Sequence, residues 1–108
     1  EKDIDRPNYG PDPAEGAMGG NPIERTYEYD ENDGSSSGVW ECTPGVLYEE
    51  EHLEDEFCTV ISGRVGIVDN ATGVEEMFHA GDSFYLPKGS SLTWNVYGTL
   101  RKFYMVAE

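Results

Sequence analysis

From residue 38 onward, short runs of apolar and β-branched residues alternate with turn signals. The runs are GVWECT (38–43), GVLYEE (45–50), EFCTVISG (56–63), RVGIVD (64–69), VEEMFHA (74–80), DSFYLP (82–87), SLTWNVYG (91–98) and LRKFYMVA (100–107). Between them lie TPG, DNATG, AGD and PKG. Strand-length runs with turns every eight to twelve residues or so predict an all-β barrel or sandwich. No long segment carries a helical period, and no internal repeat is evident. RVGIVDNATGVEEMFHA reads as a hairpin. The first part of the chain is different. Residues 1–24 are polar and broken by Pro7, Pro11, Pro13 and Pro22, which sustains neither a helix nor a central strand. They are expected to form an extended arm, with the barrel domain over 25–108. RTYEY (25–29) reads as a peripheral strand and DENDGSSSG (30–38) as a loop.

Composition adds bounds. A chain of 108 residues with 37% apolar and 12% aromatic content is expected to build one modest core. No run approaches the roughly 18 apolar residues of a membrane span, so no membrane partner is expected. No secretory leader is visible, and the chain begins at Glu1 rather than Met. The net charge is −15, and it is uneven: residues 1–56 hold 17 acids and 3 bases, residues 57–108 hold 5 and 4. Such a surface repels phosphate, which argues against nucleic acid as a partner. Two cysteines, Cys42 and Cys58, are too few for a disulfide framework. They read as reduced core thiols, which suits a cytoplasmic location; a single bridge between them is the alternative.

The densest chemistry lies in YEEEHLEDEFCTVISG (48–63). It holds Glu50-x-His52-x3-Glu56, two carboxylates and an imidazole. If 50 and 52 lie on one strand, they point to one face. A slip of one residue turns Glu49, Glu51 and Leu53 inward instead and His52 outward. His79 precedes AGD at a strand end and reads as a surface residue.

GDSFYLPKG (81–89) is G-D-x4-P-x-G, and six residues stand between Glu56 and Gly63. With GVWECTPG (38–45), DEFCTVISGRV (55–65), GDSFYLPKGSSLTW (81–94) and RKFYMV (101–106), these segments resemble the cupin superfamily. The resemblance is to small single-domain cupins grouped with the C-terminal cupin of (S)-ureidoglycine aminohydrolase and with the ethanolamine-utilisation cupins. It covers about residues 38–106. It implies an antiparallel jelly-roll barrel with an internal ligand pocket, and a homodimer.

Metal-binding cupins present two ligands, then a Glu, from the first motif. By resemblance these are Glu50, His52 and Glu56, a set suited to one divalent ion of Mn, Fe, Ni or Zn. The aminohydrolase pattern is similar, with Glu56 here standing in place of its second His. A further His would follow Pro87-Lys88-Gly89; that position is Leu92, and the Asn often found four residues later is Val96. Three protein ligands plus water can still hold a catalytic ion, yet the facing wall would be Leu92 and Trp94. The site therefore reads as degenerate, with either no cofactor or one such ion.

Without a metal, Glu56 shares its strand phase with Cys58 and Val60 and needs a partner, because a buried carboxylate must be paired, hydrogen-bonded or protonated. Lys102 and Arg101 are the candidates, one for each register of the last strand. By resemblance Trp40 and Trp94 line the barrel, with Tyr48, Phe84 and Tyr104 as candidates to join them; the alternative is that all five are simply core. Aromatic walls with a few polar groups suit a small-molecule ligand. No nucleophile–base pair, phosphate loop or catalytic triad is present, so no catalytic residue is assigned. Three functions compete: a binding protein for a small polar metabolite, a metal-dependent enzyme acting on a small amino or ureido compound, and a dimeric interaction module using the arm.

Overall fold

The computed structural model describes residues 9–32 and 34–107. Eleven strands follow one another: β1 (Tyr9–Pro13), β2 (Ala17–Gly19), β3 (Ile23–Asn32), β4 (Ser35–Cys42), β5 (Gly45–Glu49), β6 (Asp55–Ser62), β7 (Arg64–Asp69), β8 (Val74–His79), β9 (Ser83–Leu86), β10 (Leu92–Val96) and β11 (Leu100–Ala107). They pair antiparallel in two sheets, ordered β1-β3-β4-β11-β6-β9 and β2-β5-β10-β7-β8. The architecture is an antiparallel jelly roll: the all-β content is what the run-and-turn pattern predicts, and the jelly roll is what the cupin resemblance implies. No helix among the described residues is long and apolar enough to cross a membrane.

Two-residue alternation decides what faces the interior. In β10, Leu92, Trp94 and Val96 are buried while Thr93 and Asn95 are half-buried. In β6, Glu56, Cys58 and Val60 point inward and Phe57 and Ile61 outward. In β11 the inward set is Leu100, Lys102 and Tyr104. Lys102 therefore faces the interior, and Arg101 faces out, where it meets Glu41 and the Tyr27 ring. Pro87 follows directly on β9, where no ladder donor is required. Gly81 and Gly89 have φ of +93° and +91°, backbone that favours glycine at these turns.

Residues 30–38 differ from expectation. They are not a loop: β3 runs on to Asn32 and β4 begins at Ser35. Ser35, Ser36 and Ser37 pair with Asn32, Glu31 and Asp30 on one side and with Ala107, Val106 and Met105 on the other. A segment whose backbone is paired on both sides becomes a strand whatever its polarity, because the ladder satisfies its N–H and C=O groups. Residue 33 lies outside the described residues, as do residues 1–8 of the arm. The rest of the arm supplies β1 and β2, which sit at the ends of the two sheets, a position where Pro11 and Pro13 are tolerated.

Cys42 and Cys58 are both fully buried thiols. They lie on β4 and β6 with β11 between them, opposite Leu100 and Tyr104 respectively. Two strand spacings alone separate them by roughly 10 Å, beyond the roughly 7 Å that a disulfide spans. The bridge considered above is excluded by this placement.

Candidate functional site

A cavity of about 600 Å³ opens into the barrel between the two sheets. Trp40 comes from β4, Leu47 and Glu49 from β5, Trp94 from β10, and Lys102 and Tyr104 from β11. Glu56 at the start of β6, the 50–54 loop and Glu15–Gly16 of the arm also line it.

The 50–54 segment is where local structure departs from the sequence reading. β5 ends at Glu49 and β6 starts at Asp55, so residues 50–54 do not follow strand alternation. Instead the His52 amide donates to the Ser90 carbonyl at 2.7 Å, and the Gly89 amide donates to the His52 carbonyl at 2.7 Å. These bonds fix the loop on the turn after Pro87. His52 is only 6% exposed, whereas Glu50 is exposed. Neither of the two registers considered for the segment holds, because Glu49 and His52, three residues apart, both turn inward.

The result is a row of alternating charge. His52 Nδ1 lies 3.1 Å from Glu49 Oε2. Its Nε2 lies 2.9 Å from Glu56 Oε1. That second contact is an ion pair without a directed hydrogen bond, and the buried Nε2 has no hydrogen-bond acceptor. The other Glu56 oxygen, Oε2, accepts from Lys102 Nζ at 2.6 Å and from the Cys58 thiol at 3.2 Å. Lys102 Nζ stands 4.4 Å from the Trp94 ring centre and 5.0 Å from that of Trp40, within cation–π range. The two rings pack at 5.8 Å and 60°. Each indole is anchored by a carboxylate: Trp94 Nε1 donates to Glu49 at 2.8 Å and Trp40 Nε1 to Glu24 at 2.8 Å.

Burial and pairing compete at every charge. Burial raises the Glu56 pKa, but the Lys102 charge and hydrogen bond, with the His52 imidazole beside it, overcome it and hold the carboxyl far below its usual range. Burial pulls His52 down, but Glu49 and Glu56 outweigh it and hold the imidazole at about 9. Glu49 is likewise lowered, burial being outweighed by its bonds from His52 and Trp94. Burial lowers Lys102, and the neighbouring Glu56 more than reverses this. Burial pushes the Cys58 thiol up to about 12 and the Tyr104 hydroxyl to about 12. A protonated lysine and a neutral thiol are poor nucleophiles. What the row offers is fixed, fully formed charge in a pocket.

The sequence-derived pocket set divides. Trp40, Tyr48, Glu56, Trp94, Lys102 and Tyr104 line the cavity. Cys58 is packed behind Glu56. Phe84 belongs to the core, stacked on Phe78 at 4.3 Å and edge-on to Trp94. Glu49 enters the site with full weight although the sequence reading gave it only in the shifted register. Glu24 and Glu15 were assigned to the arm and also line the cavity. For Glu24 a signal existed: it shares the phase of Thr26, which pairs with Trp40. His79 is exposed, 3.8 Å from Asp82.

Glu50, His52 and Glu56 do not converge on one point: Glu50 is exposed, and His52 presents different ring nitrogens to Glu49 and Glu56. Lys102 occupies the near side of Glu56, and Leu92 is buried in the core. Among the described residues no group of three His, Cys, Asp or Glu side chains stands where it could hold an ion. These residues do not fit a divalent metal.

Comparison with known proteins agrees with the fold. No functionally curated protein matches the sequence. Among solved structures, the EutQ protein of Clostridium difficile is 20% identical with a TM-score of 0.70, over 80% of this chain and 68% of that one. A protein of unknown function from Pseudomonas syringae pv. tomato is 28% identical with a TM-score of 0.79, over 94% of this chain; the match spans 43% of that longer chain. The polyketide cyclase RemF of Streptomyces resistomycificus is 17% identical with a TM-score of 0.75, over 99% and 78% of the two chains. The family described as the EutQ-like cupin domain matches residues 29–104, so the chain belongs to the EutQ-like cupin family.

Proposed function

We propose that this cupin binds a small polar metabolite bearing an amino or other cationic group, held in the barrel cavity without a metal ion. The observation that carries the reading is the lining of the cavity. Trp40, Trp94 and Tyr48 give it aromatic walls, and Glu15, Glu24, Glu50, Glu51 and Glu54 its outer carboxylates. Lys102 is the one Lys or Arg among its described lining residues, and it is paired with Glu56. A mouth lined by one sign of charge concentrates ligands of the other. Aromatic faces add cation–π attraction. Deeper in, the Glu49–His52–Glu56–Lys102 row supplies both donors and acceptors to orient a polar ligand.

The test is a thermal-shift panel that matches small amines with carboxylates of similar size and shape, followed by calorimetry on any compound that binds. Amines are expected to raise the melting temperature, and Trp40→Ala to weaken them by about tenfold or more. Binding by carboxylates alone, or affinities indifferent to Trp40→Ala and Glu24→Gln, would overturn the reading.

A further inference from the structure

We propose that the ligand carries a primary carboxamide as well as its cationic group, and that His52 Nε2 and Glu56 Oε1 together read the carboxamide. The inference rests on the cationic-ligand reading above and deepens it. It starts from a donor and an acceptor that stand side by side without satisfying each other. His52 is only 6% exposed. Its backbone is bonded on both sides, to Ser90 and to Gly89, and its Nδ1 lies 3.1 Å from Glu49 Oε2. The ring is therefore held in one orientation. Ionised carboxylates only accept hydrogen bonds, so the ring nitrogen facing Glu49 and the one facing Glu56 both carry hydrogen. Nε2 lies 2.9 Å from Glu56 Oε1, yet its N–H is not directed at that oxygen and finds no acceptor. Glu56 is held by its other oxygen, which accepts from Lys102 and from Cys58. Its Oε1 receives no hydrogen bond from the described residues. A buried donor left unsatisfied is costly, and a ligand that supplies the acceptor recovers that cost.

The surrounding charges decide which group fits. His52 and Glu56 both line the cavity. Glu49 and Glu56 are balanced there by His52 and Lys102, so this end of the cavity is neutral. A ligand carboxylate would meet Glu56 Oε1, and a second ammonium would meet the Nε2 hydrogen; each is a like-charge contact in a buried place. A neutral group avoids both. A primary carboxamide presents a carbonyl oxygen and an N–H on neighbouring atoms. The oxygen accepts from His52 Nε2 while the N–H donates to Glu56 Oε1. The ammonium of the same ligand is left to Glu15 and Glu24 on the arm side of the cavity. One end of the ligand is thus selected by charge and the other by paired hydrogen bonds.

The experiment keeps the protein intact and varies the ligand. Calorimetry compares β-alaninamide with β-alanine methyl ester, which keeps the carbonyl and loses the N–H, and with butylamine, which loses both. β-Alaninamide is expected to bind about tenfold or more tighter than butylamine, and tighter than the ester. On His52→Ala the amide and the amine are expected to come within about twofold of each other. Proton–nitrogen NMR of wild type reads the contact directly. The His52 Nε2–H signal is expected to move downfield with β-alaninamide and with neutral butyramide, but not with butylamine. Three amines of equal affinity, or an amide advantage that survives His52→Ala, would overturn the carboxamide contact and leave the cationic reading standing. If no amine binds, the cationic reading falls and the butyramide titration decides the contact by itself: an unmoved Nε2–H signal overturns it too.

Discussion

Lys102 Nζ meets Glu56 Oε2 at 2.6 Å although their backbones lie two inward rungs apart on neighbouring strands. Lys102 stands opposite Val60, Tyr104 opposite Cys58, and Glu56 opposite Val106. Four residues of strand span roughly 13 Å, which the lysine stem and the glutamate side chain close between them. The contact is a diagonal, carried by side-chain length and covered by two indoles, not a cross-strand pair.

This pair predicts a characteristic pattern of stability. Removing either partner leaves the other charged and buried, at a cost of about 3–5 kcal/mol. Lys102→Met and Glu56→Gln are each expected to fall in or near that range by urea denaturation. Replacing both, as Glu56→Leu with Lys102→Met, removes the stranded charge, and the double variant is expected to be more stable than either single one. Additive losses would show that the two groups do not act as a unit.

His52 predicts an alkaline limb to stability. Its pKa rises from an ordinary 6.5 to about 9 in the folded protein. Between those values the folded state holds more protons than the unfolded state, so stability falls as pH rises through the interval. The contribution is present in full below 6.5 and amounts to about 1–3 kcal/mol. Glu56 and Glu49 have the opposite sign. Their pKa values are depressed, so their contribution is present above the usual carboxylate range and lost as pH falls below about 4.5. Denaturation midpoints should peak between these limbs, and His52→Gln should flatten the alkaline one. A wild-type midpoint that does not change from pH 6.5 to 9 would count against the ion-paired imidazolium.

The limits of the sequence follow from the same residues. Glu56, Cys58 and Val60 were legible as an inward set because β6 is an uninterrupted strand next to a recognisable glycine. Leu100 and Tyr104 share the phase of Lys102, and that apolar pairing was the available signal for preferring it to Arg101. The 50–54 segment was not legible. Its conformation depends on bonds between His52 and residues 89–90, nearly forty positions away, and two-residue alternation says nothing about a loop held from outside. Ser35–Ser37 misled for a related reason: their strand is imposed by partners in β3 and β11, not by their own preference.

The two thiols predict a clean accessibility pattern. Cys42 and Cys58 are fully buried, and burial pushes both thiols up to about 12. Thiolate is the reacting species, so alkylation at neutral pH is expected to require unfolding. Mass spectrometry after iodoacetamide treatment should find no adduct on the native protein and two on the denatured, unreduced one. A single reactive thiol in the native state, or a denatured protein that needs reductant before it reacts, would contradict the placement of β4, β11 and β6.

The arm predicts a loss of both stability and binding. Its β2 edge is tied to β5, where the Tyr48 amide donates to the Gly16 carbonyl at 2.8 Å, and Ala14 donates to the Pro22 carbonyl at 3.0 Å. Ala14 is buried against the core. Removing residues 1–20 therefore strips hydrogen-bonded partners from β3 and β5 and leaves two open sheet edges. At roughly 1 kcal/mol for each buried backbone bond lost, the cost is expected to reach a few kcal/mol. Glu15 and Gly16 also line the cavity, so the shortened protein should bind amines more weakly. Comparing it with full-length Glu15→Gln separates the two effects, since that substitution removes a carboxylate and keeps both edges covered. A truncated protein with unchanged melting temperature and unchanged affinity would show that the arm contributes neither to the barrel nor to its pocket.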